Sequence, residues 1–145
     1  MRVDVYIAHT RKGVKAKKAE YGYLIVAHTK DGKEHSVKEF GTDTDTQNGI
    51  ILTAMQKALE HFHSPADITF HIHANSNHIV GVFDSGQIEK WKVNGFQRAK
   101  GGRIAHFTKW SALSELCRMH WITVVNEKSH KYEEQLLNEI QDTAF

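Results

Sequence analysis

The sequence predicts an α/β fold: a mixed sheet of five strands, three antiparallel and then two parallel, flanked by helices. Three observations carry that prediction. Strand-length β-branched runs open the chain. An Asp-Gly pair separates two of the strand patterns. A long stretch with helical spacing falls between the third strand and the fourth. A strand on either side of a long helix implies a crossover and parallel pairing. The 145 residues fit a single domain, residues 1–145, with one sizeable core.

The elements follow in order. Val3 to Ile7 is β-branched and apolar, a first strand. TRKGVKAKKAE is a basic loop that carries Lys12, Lys15, Lys17 and Lys18. Tyr21 to Thr29 is a second strand, KDGK a hairpin turn, and Lys33 to Phe40 a third strand. GTDTDTQNG is a polar loop rich in capping residues. Ile51, Leu52, Met55, Ala58, Leu59 and Phe62 recur at helical spacing, so Gly49 to Phe62 is an amphipathic helix, and Pro65 stops it. Asp67 to His73 is a fourth strand. Ser76 to Phe83 and Gln87 to Val93 are short helices, and NGFQRAKGGR is a flexible basic turn. Thr108 to Met119 is helical, Trp121 to Val125 is a fifth strand, and Lys131 to Ala144 is a closing helix.

Composition narrows the class. The chain is 40% hydrophobic and 25% charged, an ordinary globular balance. Its one cysteine, Cys117, sits in an apolar helical pattern, so an intrachain disulfide is excluded and a reducing, cytoplasmic setting is expected. The first strand is too short and too polar for a signal peptide or a membrane span. The net charge of +2 permits nucleic-acid binding without requiring it.

The stretch HIHANSNHIV, from His71 to Val80, crowds histidines and asparagines at a strand end. His71 and His73 are two apart on a strand and share a face with Asn75. His9, His73 and Asn75 together suggest a substitute transition-metal site, although strand-face histidines bonded to neighbours outweigh that reading. Asn75 also suits a helix N-cap.

In this order, the motifs resemble the type 1 ribonuclease H family over nearly the whole chain. AEYGYLIV is similar to the family's glycine-bearing second strand. DTQNGIILTAMQKALEHF is similar to its first long helix, T-x-N-N-x-x-E-L-x-A. ITFHIHANSNHIV is similar to the strand and turn that carry T-D-S. EKWKVNGFQRAKGGRIAHFTKWSAL resembles the basic protrusion and the next helix, and HWITVVNEKSH the last strand before a K-G-H loop. The resemblance implies a ribonuclease H-like fold. It also implies cleavage of RNA in RNA–DNA hybrids by four carboxylates that hold two Mg²⁺ ions.

The matching positions lack those carboxylates. They fall on Ala8, Ile51, Asn75 and, near the end, Asn138, with Glu134 or Glu139 a short shift away. The K-G-H histidine falls on Lys128, with His130 close by. Ala and Ile cannot ligate a metal, and Asn is a weak neutral ligand. The expectation is therefore a catalytically inactive domain with no cofactor and no resident metal. It would bind an RNA–DNA hybrid or double-stranded RNA through backbone contacts.

The resemblance puts those contacts on Gln47 and Asn48, on Asn75, on Lys12, and on Trp91, Lys92, Phe96, Arg98, Lys100 and Arg103 in the protrusion. Capping competes for Gln47 and Asn48, and packing on the body competes for Trp91 and Phe96. Two alternatives stand beside this reading. One is a protein-interaction or inhibitor module, possible in a phage or mobile element. The other is a nuclease with ligands relocated to His9, His73 and Glu134.

Overall fold

The computed structural model describes residues 1–62 and 67–145. The chain runs β1 (Arg2–His9), β2 (Lys17–His28), β3 (Glu34–Asp45), α1 (Gln47–Leu59), β4 (Thr69–Ala74), α2 (Asn77–Asp84), α3 (Gln87–Val93), α4 (Phe107–Cys117), β5 (Trp121–Asn126) and α5 (Glu133–Asp142). The sheet order is β3-β2-β1-β4-β5. β1, β2 and β3 pair antiparallel, and β4 joins β1 and β5 in parallel. The expected α/β architecture with its five-stranded mixed sheet is the architecture found. Pro65, expected to end the first helix, lies outside the described residues.

Boundaries moved where pairing outweighed local composition. Lys17 and Lys18 pair with Asp45 and Thr44, so they belong to β2 and not to the basic loop. The polar GTDTD stretch is strand, because β2 is long enough to pair with it throughout. Gly22 is needed there: a Cβ on it would lie 2.7 Å from the Phe40 ring. α1 begins at Gln47 because the Thr46 side chain accepts from the Gly49 amide, the N-cap arrangement.

The core has two layers. On one face Val3, Val5 and Ile7 meet Ile51, Leu52, Met55 and Leu59 of α1, with Trp110 and Leu113 behind. On the other, Tyr6, Ala8, Leu24 and Val26 meet Leu136 of α5. Each such aliphatic side chain contributes about 1.5–3 kcal/mol by leaving water. Strict alternation along β1 sends odd-numbered side chains to α1 and even-numbered ones to α5.

The α5 face also holds a charge. Asp4 is only 3% exposed. Its carboxylate lies 2.9 Å from His28 Nε2 and 2.9 Å from His73 Nε2, and accepts from the Arg2 guanidinium at 3.2 Å. Burial alone would raise the Asp4 pKa, but the hydrogen bonds from Arg2, His73 and His28 outweigh it and hold the carboxyl at about 2. Its contribution is therefore complete above the unfolded value of about 3.9 and is lost as pH falls toward 2. Asp4→Asn should cost about 3 kcal/mol at neutral pH, because Arg2 and the two imidazoles keep their places without the carboxylate that accepts from them. In urea denaturation the gap to the parent chain should close as pH approaches 2. A gap that stays constant with pH would show that the carboxylate charge is not what matters.

Candidate functional site

Two connected depressions lie at the ends of the central strands. The larger is a groove of about 510 Å³ between the β1–β2 loop and the first turns of α1 and α2. Its walls are neutral polar groups: Thr46, Gln47, Asn48, Asn75, Ser76 and Asn77, with His78 and His106. The smaller is a cavity of about 230 Å³ lined by Ile7, His9, Arg11, Lys12, Gln47, Ile51, Asn75, Glu133 and Leu137. Gln47 and Asn75 line both.

Helix caps position the groove. Thr46 caps α1 and Ser76 caps α2, its hydroxyl accepting from the Ile79 amide at 3.1 Å. Capping was the competing role for Gln47, Asn48 and Asn75, and the structure gives it to their neighbours. Ser76 also donates to Asn48 Oδ1 at 2.8 Å, which ties the two helix starts together. The Asn48 amide nitrogen retains its donors.

Behind the groove, Lys109 of α4 donates to Asp43 at 2.8 Å and to the Gly49 carbonyl at 3.2 Å, and pairs with Asp45. Thr53 donates to Asp43 at 2.6 Å. The Lys109 hydrogen bonds help hold both aspartates below the usual carboxylate range, against the opposing effect of burial. His106 stands between, its Nδ1 3.4 Å from Asp45 and its Nε2 3.2 Å from the Thr46 hydroxyl. It does so at φ +59, a left-handed conformation that costs a non-glycine residue about 1 kcal/mol or more. Composition did not single out Lys109 or His106. The signal was the paired aspartates of TDTDT, which need a cation nearby.

The positions matched to catalytic carboxylates divide. Ile51 and Asn75 line the small cavity. Ala8 does not: it packs against Leu136 on the opposite face, and the alternation of β1 brings Ile7 and His9 to the cavity instead. Asn138 is exposed, and α5 turns Glu133 and Leu137 inward. Glu134 is exposed and Glu139 is taken by Lys38 at 2.7 Å. One carboxylate, Glu133, therefore lines the cavity, and it contacts His130 Nε2 at 2.9 Å.

His130 is buried and its Nε2 also lies 2.8 Å from the Ile7 carbonyl. Burial opposes its charge, but the hydrogen bond to Glu133 helps raise its pKa above the ordinary imidazole value. Lys128 is exposed.

The substitute metal site of His9, His73 and Asn75 does not assemble. β4 ends at Ala74, so Asn75 turns away from the His73 face into the groove. His73 stacks on Tyr6 with ring centroids 4.3 Å apart and is held by Asp4 and Glu127. His9 is across the sheet. Among the described residues no group of three His, Cys, Asp or Glu side chains can hold a metal ion. The relocated-ligand nuclease loses its ligand set with it. The Mg²⁺ pair that the family's chemistry implies does not fit these residues either, since Ile51 and Leu137 offer no donor and Asn75 no charge.

The protrusion is more folded than expected. Phe96 is 8% exposed and part of the core, and Trp91 packs on Trp110 with centroids 5.4 Å apart. Phe96 is thus removed as a stacking platform and Trp91 is half-buried. A short antiparallel bridge between Gln97 and Arg103 presents Arg98, Lys100 and Arg103 to solvent. Lys92 is half-buried, and Lys12 is exposed at the rim of the small cavity. Burial pushes the Cys117 thiol up to about 11, which rules against a nucleophile.

Gly49→Ala tests the groove's backing. A methyl there collides with the Asp45 carboxylate, which Lys109 holds in place. The expected cost is about 1–3 kcal/mol in thermal melting, and Lys109→Met should cost a similar amount by leaving two carboxylates unpaired. An unchanged melting temperature for both would show that the network does not support α1.

Comparison with known proteins places this geometry. No family model matches the chain. Ribonuclease HI of Synechocystis is 27% identical over 109 residues, covering 75% of this chain and 66% of that protein. Ribonuclease H of Syntrophus aciditrophicus is 31% identical, covering 76% and 60%. The match thus spans about 60–66% of the length of these relatives. Ribonuclease H of Clostridium botulinum is 24% identical over 97% of this chain and 96% of its own.

Among solved structures, LC9-RNase H1, a type 1 RNase H with the type 2 active-site motif, superposes with a TM-score of 0.73 at 16% identity, over 97% of this chain and 71% of that one. The foamy viral protease-reverse transcriptase in complex with RNA/DNA hybrid superposes at 0.63 and 17% identity, over 96% of this chain and 18% of that one. Relatives by sequence and neighbours by fold agree: the chain is similar to ribonucleases HI in sequence and in fold.

Proposed function

We propose that this chain binds a nucleic-acid duplex, an RNA–DNA hybrid or double-stranded RNA, through its backbone and does not cut it by the two-metal route. The observation that carries the reading is the groove of amides and hydroxyls at the starts of α1 and α2, open to a cavity without the carboxylate set. Amide and hydroxyl groups suit phosphate oxygens and 2′-hydroxyls and carry no sequence code. Two helix N-termini add favourable dipoles for an anionic strand. Arg98, Lys100 and Arg103 project from the protrusion as exposed cations, the group type that drives salt-dependent binding. The hybrid-bound foamy viral enzyme shares the fold, which supports the same class of partner.

A second reading, a protein-interaction module, draws on Trp121, 75% exposed, and Met119, 46% exposed, at the start of the edge strand β5. Exposed apolar side chains beside an open strand edge suit a protein partner.

Labelled hybrid, double-stranded RNA and double-stranded DNA, titrated at two salt concentrations with Mg²⁺ and then Mn²⁺ and resolved on a denaturing gel, separate the readings. Binding should weaken steeply with salt and the strands should stay intact. Alanine at Arg98, Lys100 and Arg103 should each lower the salt slope by about 1. Cut strands would overturn the inactive binder, and absence of binding would favour the interaction module.

A further inference from the structure

We infer that the small cavity at the strand ends takes a backbone phosphate directly, without a metal ion, so that a site built in this fold for cations has become a site for an anion. The inference rests on the nucleic-acid reading above. The donor set carries it. Arg11 and Lys12 bring positive charge to the cavity, and Gln47 and Asn75 bring amides. The single carboxylate, Glu133, is already engaged by His130 at 2.9 Å. Ile51 and Leu137 form an apolar floor. Hard divalent cations need anionic oxygens, whereas phosphates need N–H donors and positive charge.

His9 supplies an independent observation. Its Nδ1 is shielded from solvent and has no hydrogen-bond partner among the described residues. A buried polar atom without a partner is costly, and because His9 lines the cavity a small turn of its ring would bring that nitrogen to a phosphate oxygen there. Burial lowers the His9 pKa, with the Glu133 charge and the Arg11 backbone opposing. The Arg11 guanidinium meanwhile holds the β1–β2 loop by donating to the Lys12 and Lys15 carbonyls, which fixes the cavity wall. Because Gln47 and Asn75 line the groove as well, a strand in the groove runs directly past the cavity.

The test uses a short RNA–DNA hybrid, with and without a terminal phosphate, and inorganic phosphate as a separate probe. Hybrid affinity should be the same in Mg²⁺ and in EDTA at matched ionic strength, and the same with or without the terminal phosphate. His9→Ala should weaken it about tenfold, the scale of one charge-assisted hydrogen bond. Asn75→Asp, at an exposed position, should weaken it similarly in EDTA and recover when Mg²⁺ is added. Inorganic phosphate should shift the His9 imidazole resonances. Circular dichroism confirms that each variant is folded.

Binding that requires Mg²⁺, or two folded variants that bind like the parent, would overturn the inference. Dependence on the terminal phosphate would overturn its assignment to the backbone. Phosphate bound at His9 with no hybrid binding would sink the nucleic-acid reading and leave the anion site standing. Salt-sensitive hybrid binding with a silent His9 would do the reverse.

Discussion

Helix α1 is wedged between the sheet and α4, with eight of its thirteen residues buried. That burial fixes the direction of its first turn, and the first turn carries Gln47, Asn48 and Ile51. The wedge is pinned at one end by Lys109, which bridges Asp43, Asp45 and the Gly49 carbonyl. Two carboxylates on one strand end would repel each other without the lysine. With it, the end of β3, the start of α1 and the start of α4 move as one body. The groove and the small cavity both inherit their shape from that joint.

The same frame can hold opposite chemistries because function resides in a few side chains at the strand ends. A cavity lined by Ile51, Asn75 and Leu137, with Glu133 as its one carboxylate, lacks the mutual repulsion and the stability cost of an acidic cluster. What is left is a concave surface of amides, hydroxyls and a few cations. Amides, hydroxyls and cations are the groups that bond phosphate oxygens.

The five strands and the three-then-two pattern are legible because hydrophobic periodicity and the long helix between β3 and β4 determine them. Boundaries were less so: β3 continues through GTDTD only because β2 offers it partners, an effect no local window contains. At the site, Ile51 and Asn75 are reached through the resemblance of the first long helix and of the HANSN turn to the family's motifs. Ala8 and Asn138 were not, since a shift of one residue on β1 reverses the face and a shift of one on α5 turns the side chain by about 100°. β1 brings Ile7 and His9 to the cavity, and α5 brings Glu133 and Leu137. Phe96 reads as an exposed aromatic in a basic turn, but a left-handed φ of +60 folds it into the core. The Asp4, His28 and His73 arrangement joins three strands and has no signature along the chain.

With Glu133 as its one carboxylate, the strand-end cavity should not hold a divalent cation. Titration of the protein with Mn²⁺, followed by the paramagnetic relaxation of solvent water, tests it most directly. No saturable binding is expected beyond weak surface association, with Glu133→Gln indistinguishable from the parent chain. A stoichiometric Mn²⁺ site that disappears in Glu133→Gln would contradict it.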